Sequence, residues 1–154
     1  MIININRKKL GLVFIAATVL FVFTNSCMPR TESLAASDSA KVILEAIFGV
    51  DTPPAQFMQE YVRKIGHVLE YGLLGVEIAL WSGFHRRPGW LKLYHCLTFG
   101  VLVATLDESI QIFSGRGPMV SDILLDTAAF LVFGAVTVGV ARVVAGLRKR
   151  RKKA

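Results

Sequence analysis

Carboxylates embedded in membrane-length apolar segments constrain the fold of this chain more than any other feature. Glu70 and Glu77 fall in one such segment, Asp107 and Glu108 in a second, and Asp122 and Asp126 in a third. These are six of the eleven Asp and Glu in the protein. An ionisable side chain at the centre of a bilayer costs about 3 kcal/mol or more, so it persists where it faces a protein partner or a water-filled cavity. A fold for this sequence must therefore turn its acids inward and its apolar residues outward.

The 154 residues are 53% hydrophobic, with a mean hydropathy of +0.52, too apolar for an ordinary soluble domain of this size. A spanning helix needs about 20 mostly apolar residues. Four segments meet that length: Leu10 to Met28, Ile65 to Phe84, Leu93 to Phe113 and Ile123 to Gly146. The expected fold is all-α and polytopic, with about four transmembrane helices. Between the first two, Ser37–Gly49 reads as a short amphipathic helix with Val42, Ile43, Ala46 and Ile47 on one face. Its apolar face suits either the headgroup layer or a groove on the bundle. Asp51-Thr52-Pro53-Pro54 breaks that helix and starts the next, which Phe57, Tyr61 and Ile65 continue at helical spacing. Pro88-Gly89 and Gly115-Arg116-Gly117-Pro118 mark turns.

Charge sets the expected orientation. Net charge is +7, and twelve of the 18 Lys and Arg flank three points: Arg7, Lys8 and Lys9; Arg86, Arg87 and Lys92; and Arg148 to Lys153. By the positive-inside rule both termini are cytoplasmic, and the Met28–Lys64 and Ser114–Ser121 loops lie outside. The basic tail is read as a topology anchor that touches anionic lipid rather than as a nucleic-acid site. Residues 7–28 also resemble a secretory leader, but no small-residue cleavage site follows promptly, so an uncleaved span is favoured. The organisation is then a first span within 1–28, an outer loop over 29–64, a membrane domain over 60–146 and a basic tail over 147–154. Cys27 and Cys96 fall near opposite membrane faces, which disfavours a disulfide between them.

Helical spacing gathers the polar residues. His67, Glu70 and Tyr71 share a face of the second span, with Glu77 about 10 Å deeper. Asp107 and Glu108 precede Gln111 by four and three residues and crowd one patch of the third span. Asp122 and Asp126 are an i, i+4 pair on the fourth, where like charges repel unless a proton, cation or basic group compensates. In the expected topology Glu108 lies roughly 7 Å and Asp126 about 6 Å below the outer face, at 1.5 Å per residue. His67 enters at the same level, and Arg63, Lys64 and Arg116 edge it with positive charge. The three patches thus form one shallow outer layer. A salt-bridge cluster that only fixes helix packing is the competing account.

Zinc-protease, phosphate-loop and serine-elbow signatures are absent from the sequence. The residue types suit acid–base work, with Glu108 or Asp122 as base and His67 as partner. They also suit a divalent cation held through oxygen ligands, although the spacing demands neither. Glu77 would extend a polar track inward, as a proton-coupled carrier requires, but four short helices without an inverted repeat argue against one. Oligomeric state does not follow from the sequence.

Arg63-Lys64-Ile65-Gly66-His67, Glu70-Tyr71, Asp107-Glu108, Gln111, Gly115-Arg116, Asp122 and Asp126 together resemble the VanZ-like family of small bacterial membrane proteins. The resemblance covers about residues 60–135. Ile110 stands where many relatives have histidine, and Ala129 where glycine is common. The first departure weakens any mechanism that needs a second histidine; the second bears on helix packing. The resemblance implies a four-helix protein of the bacterial cytoplasmic membrane. It also implies an association with resistance to the glycopeptide teicoplanin, through the family's namesake, and supplies no reaction. The expected partners are membrane lipids and a lipid-linked envelope precursor or glycopeptide. Arg63, Lys64, Glu70, Tyr71, Asp107, Gln111, Arg116 and Asp126 are the candidate binding residues, and His67, Glu108 and Asp122 the candidate catalytic ones.

Overall fold

The computed structural model describes residues 6–50, 52–83, 89–115 and 119–151, with the side chains of 54–60 excepted. Among the described residues there are five helices and no strand: α1 (Arg7–Cys27), α2 (Arg30–Phe48), α3 (Pro53–Ser82), α4 (Gly89–Phe113) and α5 (Val120–Arg151).

Local chemistry sets their ends. The Asn6 side chain caps α1 by accepting from the Lys8 N–H at 3.0 Å. Met28 and Pro29 adopt extended backbone and separate α1 from α2. α2 closes at Gly49, whose φ of 88° lies in the left-handed region that suits glycine, and whose N–H returns to the Glu45 carbonyl at 2.9 Å. Pro53 and Pro54 then occupy the first turn of α3, where no N–H is needed. α5 begins with Asp122 in its first turn and ends with Arg148, Lys149, Arg150 and Arg151, both favourable to the helix dipole.

α2 is longer than the Ser37–Gly49 segment expected from its apolar face. It starts seven residues earlier, at Arg30, because the Thr-Glu-Ser-Leu-Ala-Ala run has nothing to break it and Glu32 favours the first turn. No residue of α2 is buried, and Val42, Ile43 and Ile47 are exposed.

α1, α3, α5 and α4 form a ring in which each packs on the next and α4 returns to α1. α3 and α4 stand across the diagonal and touch little. The core is built from Val22, Tyr71, Leu74, Val103, Ala104 and Phe130. Glycine makes the closest approach: a Cβ at Gly75 would lie 2.1 Å from the Phe130 carbonyl oxygen, so α3 and α5 meet backbone to backbone. Gly134 faces the same spot, and the ring of Phe130 fills the space beside Gly100.

The bundle is inside out relative to a soluble domain. Phe14, Phe21, Leu102, Val132 and Val136 are exposed, while Asp107 and Asp126 are fully buried. α1, α4 and α5 are long and apolar enough to cross a membrane. α3 has the length, but with His67, Glu70 and Glu77 along it, it is not among those three.

Candidate functional site

α1 and α4 end where α3 and α5 begin, and the polar side chains of all four helices meet at that end. His67 on α3 projects across the diagonal towards Asp107 on α4, with Asp126 of α5 closing one side. Its Nδ1 lies 3.4 Å from Asp126 Oδ2 and 3.8 Å from Asp107 Oδ2. Neither approach has hydrogen-bond geometry, and both Asp126 oxygens, Asp107 Oδ2 and the buried Tyr71 hydroxyl have no hydrogen-bond partner among the described residues. The other Asp107 oxygen accepts from the Ser26 hydroxyl on α1. Each of the four ring helices thus contributes to one cluster.

Around this centre the acids are held separately. Glu70 Oε1 accepts from the Asn25 amide at 2.7 Å, and Glu108 Oε2 from the Met119 backbone N–H at 3.0 Å. Asp122 accepts from the Ser121 hydroxyl at 3.2 Å, one turn outward from Asp126. The exposed Arg63 donates to Gln111 Oε1 at 3.1 Å, and the Gln111 amide reaches Ser26 at 3.5 Å. Arg63 thereby brings a guanidinium to the mouth of the acidic cluster.

The sequence-derived candidates therefore divide. His67, Asp107 and Asp126 form the centre; Glu70, Tyr71, Glu108, Gln111 and Arg63 surround it. Tyr71 is fully buried. Lys64 is exposed and lies over the Tyr61 ring, 5.8 Å from its centroid, on the outside of the bundle. Arg116 lies outside the described residues. Glu77 sits deeper, where its Oε1 accepts from Thr18 on α1 at 3.0 Å. That bond makes Glu77 a tie between α1 and α3. Replacing Thr18 by valine should cost about 1 kcal/mol in detergent unfolding, the net worth of one such bond; an unchanged midpoint would show that the bond contributes nothing.

Asn25 and Ser26 are site residues that the sequence did not single out. Thr24-Asn25-Ser26 closes an apolar span and reads naturally as part of a leader-like segment. Its polar side chains were the available signal, but their direction depends on how α1 packs. Cys27 and Cys96 are free, at opposite ends of the bundle. A cavity of about 800 Å³ also lies at the far end, between α3, α4 and α5, lined by residues such as Ile78, Cys96, Leu131 and Ala135. It contains none of the clustered acids.

Fold and site together define a helical membrane protein with a buried histidine–carboxylate centre. A model of the VanZ/LLP1 family matches residues 11–141, and the chain belongs to that family. The match takes in α1 as well as the motif-bearing helices, in keeping with the part Ser26 and Asn25 play in the cluster. No curated protein and no solved structure matches the chain.

Proposed function

We propose that the protein binds an anionic, lipid-linked component of the bacterial envelope, or an amphiphilic glycopeptide, at the outer face of the cytoplasmic membrane. The observation that carries this reading is the Arg63–Gln111 contact. It ties a guanidinium to the mouth of a polar cluster whose flanks are exposed apolar helices. A cation at headgroup level beside apolar surface suits a ligand with a phosphate or carboxylate head and an apolar tail, and arginine can grip such a head bidentately. Arg116, in the Gly115-Arg116 motif, is assigned the same task, with Lys64 as a further rim charge.

In this reading α3 crosses the membrane with α1, α4 and α5, making four spans. The polar residues of α3 are compatible with crossing because they face the bundle. Both termini are cytoplasmic, as the flanking basic residues favour. α2 lies in the outer headgroup layer with Val42, Ile43 and Ile47 towards the acyl chains.

Two measurements test the binding reading. Expression in a susceptible host should lower sensitivity to teicoplanin more than to vancomycin; unchanged sensitivity to both, with normal expression, counts against the resistance role. Purified protein should retain anionic envelope lipid, and Arg63→Ala or Arg116→Ala should each reduce that retention by about tenfold, the worth of one charge-assisted contact. Equal retention by both variants and the wild type rejects the proposed grip.

A second reading, a membrane-embedded acid–base enzyme acting on a lipid-linked wall precursor or phospholipid, is favoured by the closeness of His67 to two carboxylates. Glu108 or Asp122 would be the base, and Glu108→Gln should then abolish turnover while the protein still folds. Failure of the purified protein to alter any envelope lipid or precursor, with or without Mg²⁺, would sink it.

A further inference from the structure

The His67, Asp107 and Asp126 side chains converge in a way that hydrogen bonding does not explain. An imidazolium shared by two carboxylates would bring its ring nitrogen to about 2.7–3.2 Å from an oxygen. The separations here are 3.4 and 3.8 Å, and neither contact has hydrogen-bond geometry. One ligand atom from each of the three residues lies within 4.8 Å of the others. Atoms each bound about 2.0–2.2 Å from one ion stand about 3–4 Å apart, the spacing seen for both histidine–carboxylate pairs.

Three further features point the same way. Asp126 is fully buried with neither oxygen hydrogen-bonded among the described residues, although a buried charge ordinarily demands compensation. Asp107 is oriented from behind: Ser26 holds Oδ1, which leaves Oδ2 directed at His67. Such an outer partner fixes the ligand oxygen where an ion needs it. Finally, an imidazole that binds a metal does so in its neutral form, so with it the two carboxylates carry a charge of −2, which one divalent cation balances.

We infer that His67 Nδ1, Asp107 Oδ2 and an Asp126 oxygen form a binding site for one divalent first-row transition cation, buried between α3, α4 and α5. The imidazole selects against Mg²⁺ and Ca²⁺, which take all-oxygen shells, and in favour of ions such as Zn²⁺ or Mn²⁺. The His67 side chain keeps 15% of its surface exposed, so the site is approached from that side. Charge, spacing and orientation of the ligands carry this inference, and it does not depend on the envelope ligand of the preceding section.

The test is titration of the purified full-length protein, free of any polyhistidine tag and stripped with chelator, with Zn²⁺ and with Mn²⁺. One saturable equivalent of each is expected, Zn²⁺ the tighter, with millimolar Mg²⁺ unable to displace it. Asp126→Asn and His67→Ala should weaken binding at least 100-fold. Ser26→Ala keeps all three ligands and should weaken it about tenfold, by loosening Asp107. Glu32→Gln, on exposed α2, should bind like the wild type. If a ligand variant fails to fold, Ser26→Ala still decides. No saturable equivalent, equal binding by Ser26→Ala and wild type, or displacement by Mg²⁺ would overturn the assignment. No envelope ligand enters the assay, so its failure leaves the retention and sensitivity measurements standing, and theirs leaves it standing.

Discussion

Replacing Gly75 by alanine should collapse the α3–α5 interface and lower stability by about 3 kcal/mol, at the upper end of what overpacking usually costs. The added methyl would lie 2.1 Å from the Phe130 carbonyl oxygen and 2.9 Å from its carbonyl carbon. Those are backbone atoms of a helix, so no rotamer change can relieve the clash; α3 must move away from α5. Separation would also withdraw Phe130 from the space beside Gly100. Gly134→Ala should cost less, because its methyl would stand 3.2 Å from the Gly75 carbonyl oxygen. A methyl on Gly139 would meet no described residue within 4 Å, so Gly139→Ala is the neutral comparison. The three variants can be ranked by SDS-titrated unfolding in mixed micelles. A Gly75→Ala midpoint equal to that of Gly139→Ala would refute the backbone contact.

The second large effect concerns charge. His67→Leu in chelator-treated protein should cost about 3–5 kcal/mol, the usual result of removing one partner from a buried ionic group. Asp107 and Asp126 would be left facing each other with no basic group between them. The diagnostic result is rescue. Adding Asp107→Asn and Asp126→Asn to His67→Leu should recover most of the loss, because the penalty comes from the stranded charges rather than from the missing imidazole. If the triple variant is no more stable than His67→Leu, the loss is one of packing volume, and the electrostatic account of the centre is wrong. Chelation removes any contribution from bound metal.

Much of the site was legible before any fold was known. Apolar length and embedded acids define the medium, since six carboxylates in membrane-length segments demand an inward-facing arrangement. Counting residues from the turns puts His67, Glu108 and Asp126 at one depth, and the four helices do meet at that end. Depth follows from sequence because rise per residue is a property of the helix alone. Rotation and neighbourhood do not. Asp122 and Asp126 share a helical face, yet Asp126 meets His67 while Asp122 stays a turn outward beside Ser121. Glu77 looked like the inner end of a polar track until α1 supplied Thr18. Asn25 and Ser26 could not be recognised from α1 alone, because a polar residue in a last turn points to solvent or to the bundle according to its neighbours.

By itself the sequence determined a helical membrane protein, the family motif, and the identity and shared level along the helices of the clustered ionisable residues. Those properties depend on composition and on a helical period that each segment obeys independently. The tertiary structure alone decided that α3 and α4 stand across the diagonal, that Gly75 lets α3 touch the α5 backbone, and that His67 therefore reaches Asp107 and Asp126 together. Such contacts depend on how closely helices approach and how each is turned about its axis. Long-range packing sets both, with neighbours up to 85 positions apart along the chain, as Ser26 and Gln111 are.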